Sequence, residues 1–256
     1  MTDVVGIQLD IAWEDPPANH GRVEELLEGA DVAEGSLVVL PEMFATGFSM
    51  DVAAVAEPAG GATETFLSSI AARYGSWVIG GVVTQGAGGK GRNEAVAFGA
   101  DGGEVARYRK RHPFSFADET DYYEPGDDIV RFECSGFTVS PFICYDLRFP
   151  ECFRASVTRG TDVFVVIANW PAAREAHWPA LLRARAIENQ SYVVGINRCG
   201  SDPKHSYSGR SLVLDPIGEV LADAGNEEGL VRAGLEGAFL AKCRSDFPVL
   251  ADMRMD

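Results

Sequence analysis

Lysine is nearly missing from this 256-residue chain: Lys90, Lys110, Lys204 and Lys242 are the full set, and arginine supplies the other cations. The net charge is −16, and a phosphate backbone demands clustered lysine and arginine, which makes nucleic acid a poor partner. An anionic membrane surface is disfavoured for the same reason. A small anionic ligand is a different matter, because one arginine in direct contact outweighs a diffuse, screened field. The acid-rich, lysine-poor composition has two readings: a high-salt cytoplasm, or a genome that favours Ala, Gly, Arg and Asp.

Long apolar runs are also lacking. No segment reaches the ~18 uninterrupted apolar residues of a membrane span. The start, Met1-Thr2-Asp3-Val4-Val5, has no basic region followed by an apolar stretch, so no signal peptide is expected there. Five cysteines (Cys134, Cys144, Cys152, Cys199, Cys243) are scattered without CxxC spacing. An odd number in a chain of this size points to a reducing, cytoplasmic compartment and away from a zinc site. No His/Cys ligand spacing stands out, so neither a metal nor an organic cofactor is implied. Repeats and long linkers are missing too, and the glycine-rich stretch 86–91 is short enough for a hairpin turn. One domain over 1–256 is the expectation, and a hydrophobic content of 46% is ample for its core.

Strand-like apolar runs recur at 4–9, 36–40, 77–83, 94–98, 137–143, 162–168, 192–197 and 211–214. Helical spacing appears at 20–30, 63–74, 149–159 and 178–189, with Thr63 a candidate N-cap. Such alternation predicts a layered α/β fold. Runs 94–98 and 211–214 sit in hairpin-like contexts, so the sheets should be mixed rather than purely parallel.

Three segments carry chemistry. In Val38-Val39-Leu40-Pro41-Glu42-Met43-Phe44 a carboxylate follows directly on an apolar strand, at the strand end where α/β sites gather. Flanked by apolar residues, Glu42 would be partly desolvated and suited to act as a base; an ordinary loop glutamate is the plain alternative. Arg107-Tyr108-Arg109-Lys110-Arg111-His112 reads either as a solvated basic run at a strand end or as a functional cation among aromatics. Phe142-Ile143-Cys144-Tyr145-Asp146-Leu147-Arg148-Phe149-Pro150-Glu151 runs a strand into a cysteine, with a turn and a helical pattern after it. That is the logic of a nucleophile elbow, in which a helix N-terminus would also lower the thiol pKa. A buried structural cysteine is the competing reading, and the other four cysteines lack this setting.

Taken in order, these motifs resemble the nitrilase superfamily. The resemblance runs from residue 4 to about 215 and continues in Ala168-Asn169-Trp170-Pro171, His177-Trp178, Arg183-Ala184-Arg185-Ala186-Ile187-Glu188-Asn189-Gln190 and Tyr207-Ser208-Gly209. It implies a four-layer αββα sandwich with mixed sheets and a Glu–Lys–Cys triad. By position, Cys144 would be the nucleophile and Glu42 its general base. Lys110 would stabilise the tetrahedral oxyanion together with the Tyr145 backbone N–H. Glu119 fits a second family glutamate better than Glu124 does. Arg148 matches a position suited to a substrate carboxylate. The runs Pro41-Glu42-Met43-Phe44-Ala45-Thr46-Gly47-Phe48-Ser49-Met50 and Ala-Asn-Trp-Pro look closest to the omega-amidase branch, which acts on ω-amides of 2-oxo acids such as 2-oxoglutaramate and 2-oxosuccinamate.

Such a substrate carries one carboxylate, so its pocket needs a fixed cation. Arg148 is the first choice and Arg174 the second, each with a structural ion pair (for Arg148, with Glu151) as the alternative. Phe44 and Trp170 are candidate pocket walls. The resemblance also implies a homo-oligomer, dimer or larger, with the tail 240–256 packing at a subunit interface. Arg210 and Met253 depart from the family pattern. Other readings stay open: a nitrilase, carbamoylase or general aliphatic amidase; a non-catalytic binding module on the same fold; or a Cys–His hydrolase using His112, His177 or His205.

Overall fold

The structure, a computed structural model, describes residues 1–254. Its strands are β1 (Thr2–Gln8), β2 (Leu37–Val39), β3 (Trp77–Gln85), β4 (Gly91–Phe98), β5 (Glu104–Arg109), β6 (Phe132–Cys134) and β7 (Phe137–Ile143). They continue as β8 (Val163–Ala168), β9 (Tyr192–Asn197), β10 (Cys199–Ser201), β11 (Ser206–Ser208), β12 (Leu212–Leu214), β13 (Val220–Asp223) and β14 (Gly229–Leu235). The helices are α1 (Pro16–Glu28), α2 (Val52–Val55), α3 (Ala62–Tyr74), α4 (Glu119–Tyr122), α5 (Pro150–Val157), α6 (His177–Asn189) and α7 (Gly237–Asp246). Two six-stranded sheets result, ordered β14-β1-β2-β3-β4-β5 and β13-β12-β9-β8-β7-β6, with β10 and β11 forming a separate hairpin. Both sheets are mixed: β1, β2 and β3 run parallel, as do β7, β8 and β9, and the flanking pairs are antiparallel.

The period of two along a strand divides the layers. On β2, Leu37 and Val39 enter the core shared with the second sheet, while Val38 and the following Leu40 face Val23 and Leu27 of α1 and Leu67 and Ile70 of α3. On β4 the same split separates Ala95 and Ala97 from Val96 and Phe98. At the centre of the second sheet β8 and β9 are buried on both faces, so β8 reads as an unbroken apolar run and β9 as one up to Asn197. Phe153 of α5 and Trp178 and Leu182 of α6 join the core built on that sheet. The architecture is therefore helix, sheet, sheet, helix, as expected.

Two glycines set how closely layers approach. A Cβ on Gly6 would lie 2.2 Å from Cδ1 of Ile196, on the facing sheet. A Cβ on Gly81 would lie 2.4 Å from the Met43 nitrogen and 2.5 Å from the Glu42 Cα, so only glycine lets β3 pass beneath that segment. One local expectation fails: Thr63 does not cap α3. Glu57 instead accepts from the Thr63 N–H at 2.8 Å and its hydroxyl at 2.7 Å, and Gly61 is the cap residue.

The C-terminal segment packs on its own chain as far as it is described; 255–256 lie outside the described residues. Leu240 is buried, and Arg244 donates to Asp162 at 2.7 Å and to the Gln190 carbonyl at 3.0 Å. No described helix is long and apolar enough to cross a membrane.

Gly81→Ala is expected to destabilise the protein by roughly 1–3 kcal/mol, because the clash is with backbone that cannot rotate away. Urea denaturation checks this: an unchanged midpoint would show that the 42–43 segment yields freely.

Candidate active site

β2 hands the chain to a tight turn. Leu40 still donates to Ile79 on β3 at 2.8 Å, and the Pro41 carbonyl accepts from Gly81 at 3.1 Å. Met43 then takes a left-handed conformation, φ 45°, which reverses the chain and leaves Glu42 fully buried. The basic run is sorted by strand alternation. Ala106, Tyr108 and Lys110 turn inward, whereas Arg107 and Arg109 turn outward to acidic partners. Lys110 is thus the one cation of that run delivered to the interior.

There its ammonium meets two carboxylates. Nζ lies 2.8 Å from Glu42 Oε1 and 2.8 and 3.0 Å from the two oxygens of Glu119. All three side chains are at most 1% exposed, so each charge exists only because the others do. Burial alone would push Lys110 down, but Glu119 and Glu42 overcome it and hold the ammonium well above its ordinary value. Burial raises the Glu119 carboxyl, against the pull of Lys110. Its two oxygens nevertheless only accept, from Lys110, Asn93 and the Phe114 N–H, the pattern of a carboxylate. Glu124 lies apart, paired with Arg92 at 2.8 Å.

Two asparagines complete the Glu42 shell. Asn93 Nδ2 donates to Glu42 Oε1 at 2.7 Å and to Glu119 Oε1 at 2.9 Å. The Asn169 backbone N–H donates to Glu42 Oε2 at 2.8 Å, and its side chain donates to the Glu42 carbonyl at 2.7 Å.

Cys144 follows β7 with φ 46°, a left-handed conformation that a side chain adopts only under constraint. Asp146 supplies the constraint from behind. Buried, it accepts from the Ile143 N–H at 3.1 Å, the Tyr108 hydroxyl at 2.7 Å and the His112 N–H at 2.9 Å. The Cys144 Sγ lies 3.9 Å from the Asn169 carbonyl oxygen, with Glu42 and Lys110 both close enough to act on it. One expectation is overturned here. Burial, then Glu42, push the thiol well above its ordinary value, and Lys110 offsets this only in part. A 3₁₀ turn over Cys144–Arg148 intervenes before α5 begins at Pro150, so no long helix points its N-terminus at the sulfur.

A cleft opens in front of the sulfur, with Lys110, Tyr145, Arg148, Asn169, Trp170 and Arg174 in its lining. The Arg148 guanidinium lies 4.7 Å from the Trp170 ring centre and its Nη2 is 3.2 Å from His177 Nδ1. That of Arg174 lies 5.2 Å from the Phe114 ring centre. Among the described residues neither pairs with a carboxylate, so the Arg148–Glu151 pair does not form. Phe44 does not line the cleft. It is fully buried in the layer between the first sheet and α1 and α3, 5.7 Å from the His20 ring. The reversal at Met43 turns Phe44 inward and brings Phe48 to the cleft, 5.1 Å from Lys110 Nζ. Of the histidines, His112 is taken up by Asp146 and a stack on Phe149, His177 faces Arg148, and His205 stands exposed at the rim. None hydrogen-bonds Cys144 among the described residues.

The sequence matches the carbon–nitrogen hydrolase family over residues 4–244. The 2-oxoglutaramate amidase of Bacillus subtilis (strain 168) is 36% identical over 251 residues, covering 98% of this chain and 96% of that protein. The chain belongs to the carbon–nitrogen hydrolase family. A second relative of this hydrolase, the omega-amidase YafV of Escherichia coli (strain K12), is 38% identical, covering 96% of this chain and 94% of that one. A solved CN-hydrolase superfamily protein of Xanthomonas campestris, with an arsenic adduct in its active site, superimposes with a TM-score of 0.94. It is 35% identical and covers 100% of this chain and 98% of its own. Nit3 of Saccharomyces cerevisiae, of the nitrilase superfamily, has a TM-score of 0.88 at 27% identity, covering 99% of this chain and 97% of that one.

The structure thus brings together Glu42, Lys110, Glu119 and Cys144, four residues named from the sequence. That reading missed Asn93, Asn169 as a partner of Glu42, and Asp146. Asn93 lies one residue before the apolar run taken as a strand, and a polar residue there gave no signal. The raised thiol pKa has a direct consequence. Alkylation of Cys144 by iodoacetamide, followed by peptide mass spectrometry, should still accelerate with pH at about 8.5, the ordinary thiol value. A rate plateau below about pH 7 would mean a resting thiolate and contradict the geometry.

Proposed function

We propose that the protein hydrolyses the ω-amide of a small 2-oxo dicarboxylic acid monoamide, of the 2-oxoglutaramate or 2-oxosuccinamate type, to the acid and ammonia. The observation that carries this reading is a cleft with a sulfur and an ammonium at one end, a buried carboxylate bonded to that ammonium, and two carboxylate-free guanidiniums in its wall. The relatives named omega-amidase and 2-oxoglutaramate amidase support the substrate class. A neutral nitrile or a neutral aliphatic amide would give those two arginines no anionic partner.

The chemistry follows from the residues. Cys144 rests as a thiol, so Glu42 must take its proton as the sulfur attacks the amide carbon. Oε2, which accepts only from the Asn169 N–H, is the oxygen for this task, since Oε1 already accepts from both Lys110 and Asn93. The oxyanion that forms is met by the Lys110 ammonium and the Tyr145 N–H; a preorganised donor of this kind contributes about 3–4 kcal/mol. Collapse breaks the C–N bond, and Glu42 passes the proton to the departing nitrogen, which leaves as ammonia. The remaining thioester is attacked by water. Glu42 removes a proton from that water and returns it to the sulfur as the acid leaves. Glu119 keeps Lys110 charged and in place throughout.

Arg148 carries the substrate carboxylate, with Arg174 beside it and Tyr145 and Trp170 as walls. Burial and the neighbouring Arg174 both lower the Arg148 pKa, the mark of a guanidinium awaiting an anion. A homo-oligomer is supported by exposed apolar side chains on and beside α6, Ile187 and Ile217 among them. The five cysteines are all unbridged, in keeping with a reducing cytoplasm.

Ammonia release from a panel of ω-amides, nitriles and carbamoyl compounds tests the activity. For Arg148→Ala, KM for 2-oxoglutaramate should rise roughly 10- to 100-fold, while a neutral amide of equal length is hardly affected. An unchanged preference for the anionic amide would remove the substrate assignment.

A further inference from the structure

Asn93 stands at the centre of the charged cluster without touching the cleft. It is 1% exposed, on β4, and its Nδ2 spans both carboxylates, 2.7 Å from Glu42 Oε1 and 2.9 Å from Glu119 Oε1. The orientation of its amide is dictated: turned over, it would set its oxygen against two carboxylates and strand two donors. In the orientation found, Oδ1 has no partner, a cost accepted for the sake of the two donated bonds. The Asn93 carbonyl also accepts from the Lys110 N–H at 2.9 Å, so one residue fixes the backbone of the lysine and the carboxylates around it.

We propose that Asn93 is a positioning residue for the base: its side chain occupies Glu42 Oε1, which leaves Oε2, held by the Asn169 N–H, for the thiol, and it donates to Glu42 and to the neighbouring carboxylate together. The groups facing Glu42 make the need plain. Lys110 comes from the end of β5, Glu119 from α4, Cys144 from the end of β7, and Tyr123 lies near enough to feel both carboxylates. A single ammonium balances two carboxylates, so the pair keeps one uncompensated negative charge among side chains at most 1% exposed. The two N–H donors of Asn93 spread that charge without adding a titratable group. Loss of a hydrogen bond to the ionised form favours the protonated form, and a protonated Glu42 cannot accept the thiol proton.

This inference rests on Glu42 being the base, and the test separates the two. Ammonia release is measured against pH for the full-length protein and for Asn93→Ala, Asn93→Asp and Glu42→Gln, each checked for folding by thermal melting. For Asn93→Ala, kcat should fall roughly 10- to 100-fold with KM nearly constant, and the acidic limb of kcat/KM should move up by about one pH unit. Asn93→Asp preserves the volume while replacing the donors with a third carboxyl. Its acidic limb should move further, and it provides the reading if the alanine variant does not fold. A folded Asn93 variant with a wild-type acidic limb overturns the proposal, even if its kcat falls, because a merely structural role would leave the limb in place. If Glu42→Gln keeps wild-type turnover, the base assignment itself fails; if Glu42→Gln is dead and the limb of the Asn93 variants is unmoved, the role of Asn93 alone fails.

Discussion

The site is organised around one buried ammonium held between two buried carboxylates. Removing Lys110 leaves two buried carboxylates without their cation, a loss of about 3–5 kcal/mol in comparable pairs, whereas removing either carboxylate leaves the ammonium with a single partner. The three come from the turn after β2, the end of β5 and the start of α4. The first sheet delivers two of them, and the second sheet delivers Cys144 and Asn169 from the ends of β7 and β8. The ion cluster therefore also fixes how the two sheets meet at this edge. Asn169 makes the link explicit, since its backbone donates to Glu42 from across the sandwich.

Backbone strain is present in the same place. Met43 and Cys144 both occupy left-handed backbone regions, at roughly 1–3 kcal/mol each for residues with side chains. Each is pinned by its surroundings, Met43 by the passage of Gly81 beneath it and Cys144 by the three donors that converge on Asp146. The outcome is a sulfur that is protonated at rest but adjacent to a carboxylate ready to take the proton. In the proposed mechanism such a thiol gives up its proton to Glu42 only as it attacks a substrate carbonyl.

Much of this was legible in the sequence because the elements concerned are long, apolar and periodic. Strands β2, β3, β7, β8 and β9 emerge from burial on one or both faces, and Pro41-Glu42 and Ile143-Cys144 mark two of their ends. Lys110 was singled out among its basic neighbours by resemblance, and the alternation of β5 supplies the physical reason. Other features were silent. The edge strands β13 and β14 carry exposed and small residues that blur the apolar pattern. Phe44 and Phe48 are four residues apart on one irregular turn, and only the left-handed residue at 43 decides which of them reaches the cleft. Asn93 and Asp146 act through contacts with residues distant in the chain, such as the Tyr108–Asp146 bond, and no local pattern announces those.

The central claim is that Cys144 performs the bond-breaking step in concert with this cluster. Ammonia release from 2-oxoglutaramate by purified Cys144→Ala, with its melting curve compared to wild type, tests that claim most directly. The account predicts an unchanged melt and a rate lower by at least about a thousandfold, as when a nucleophile is removed from an acyl-transfer site. A folded Cys144→Ala protein that still releases ammonia at near the wild-type rate would contradict it.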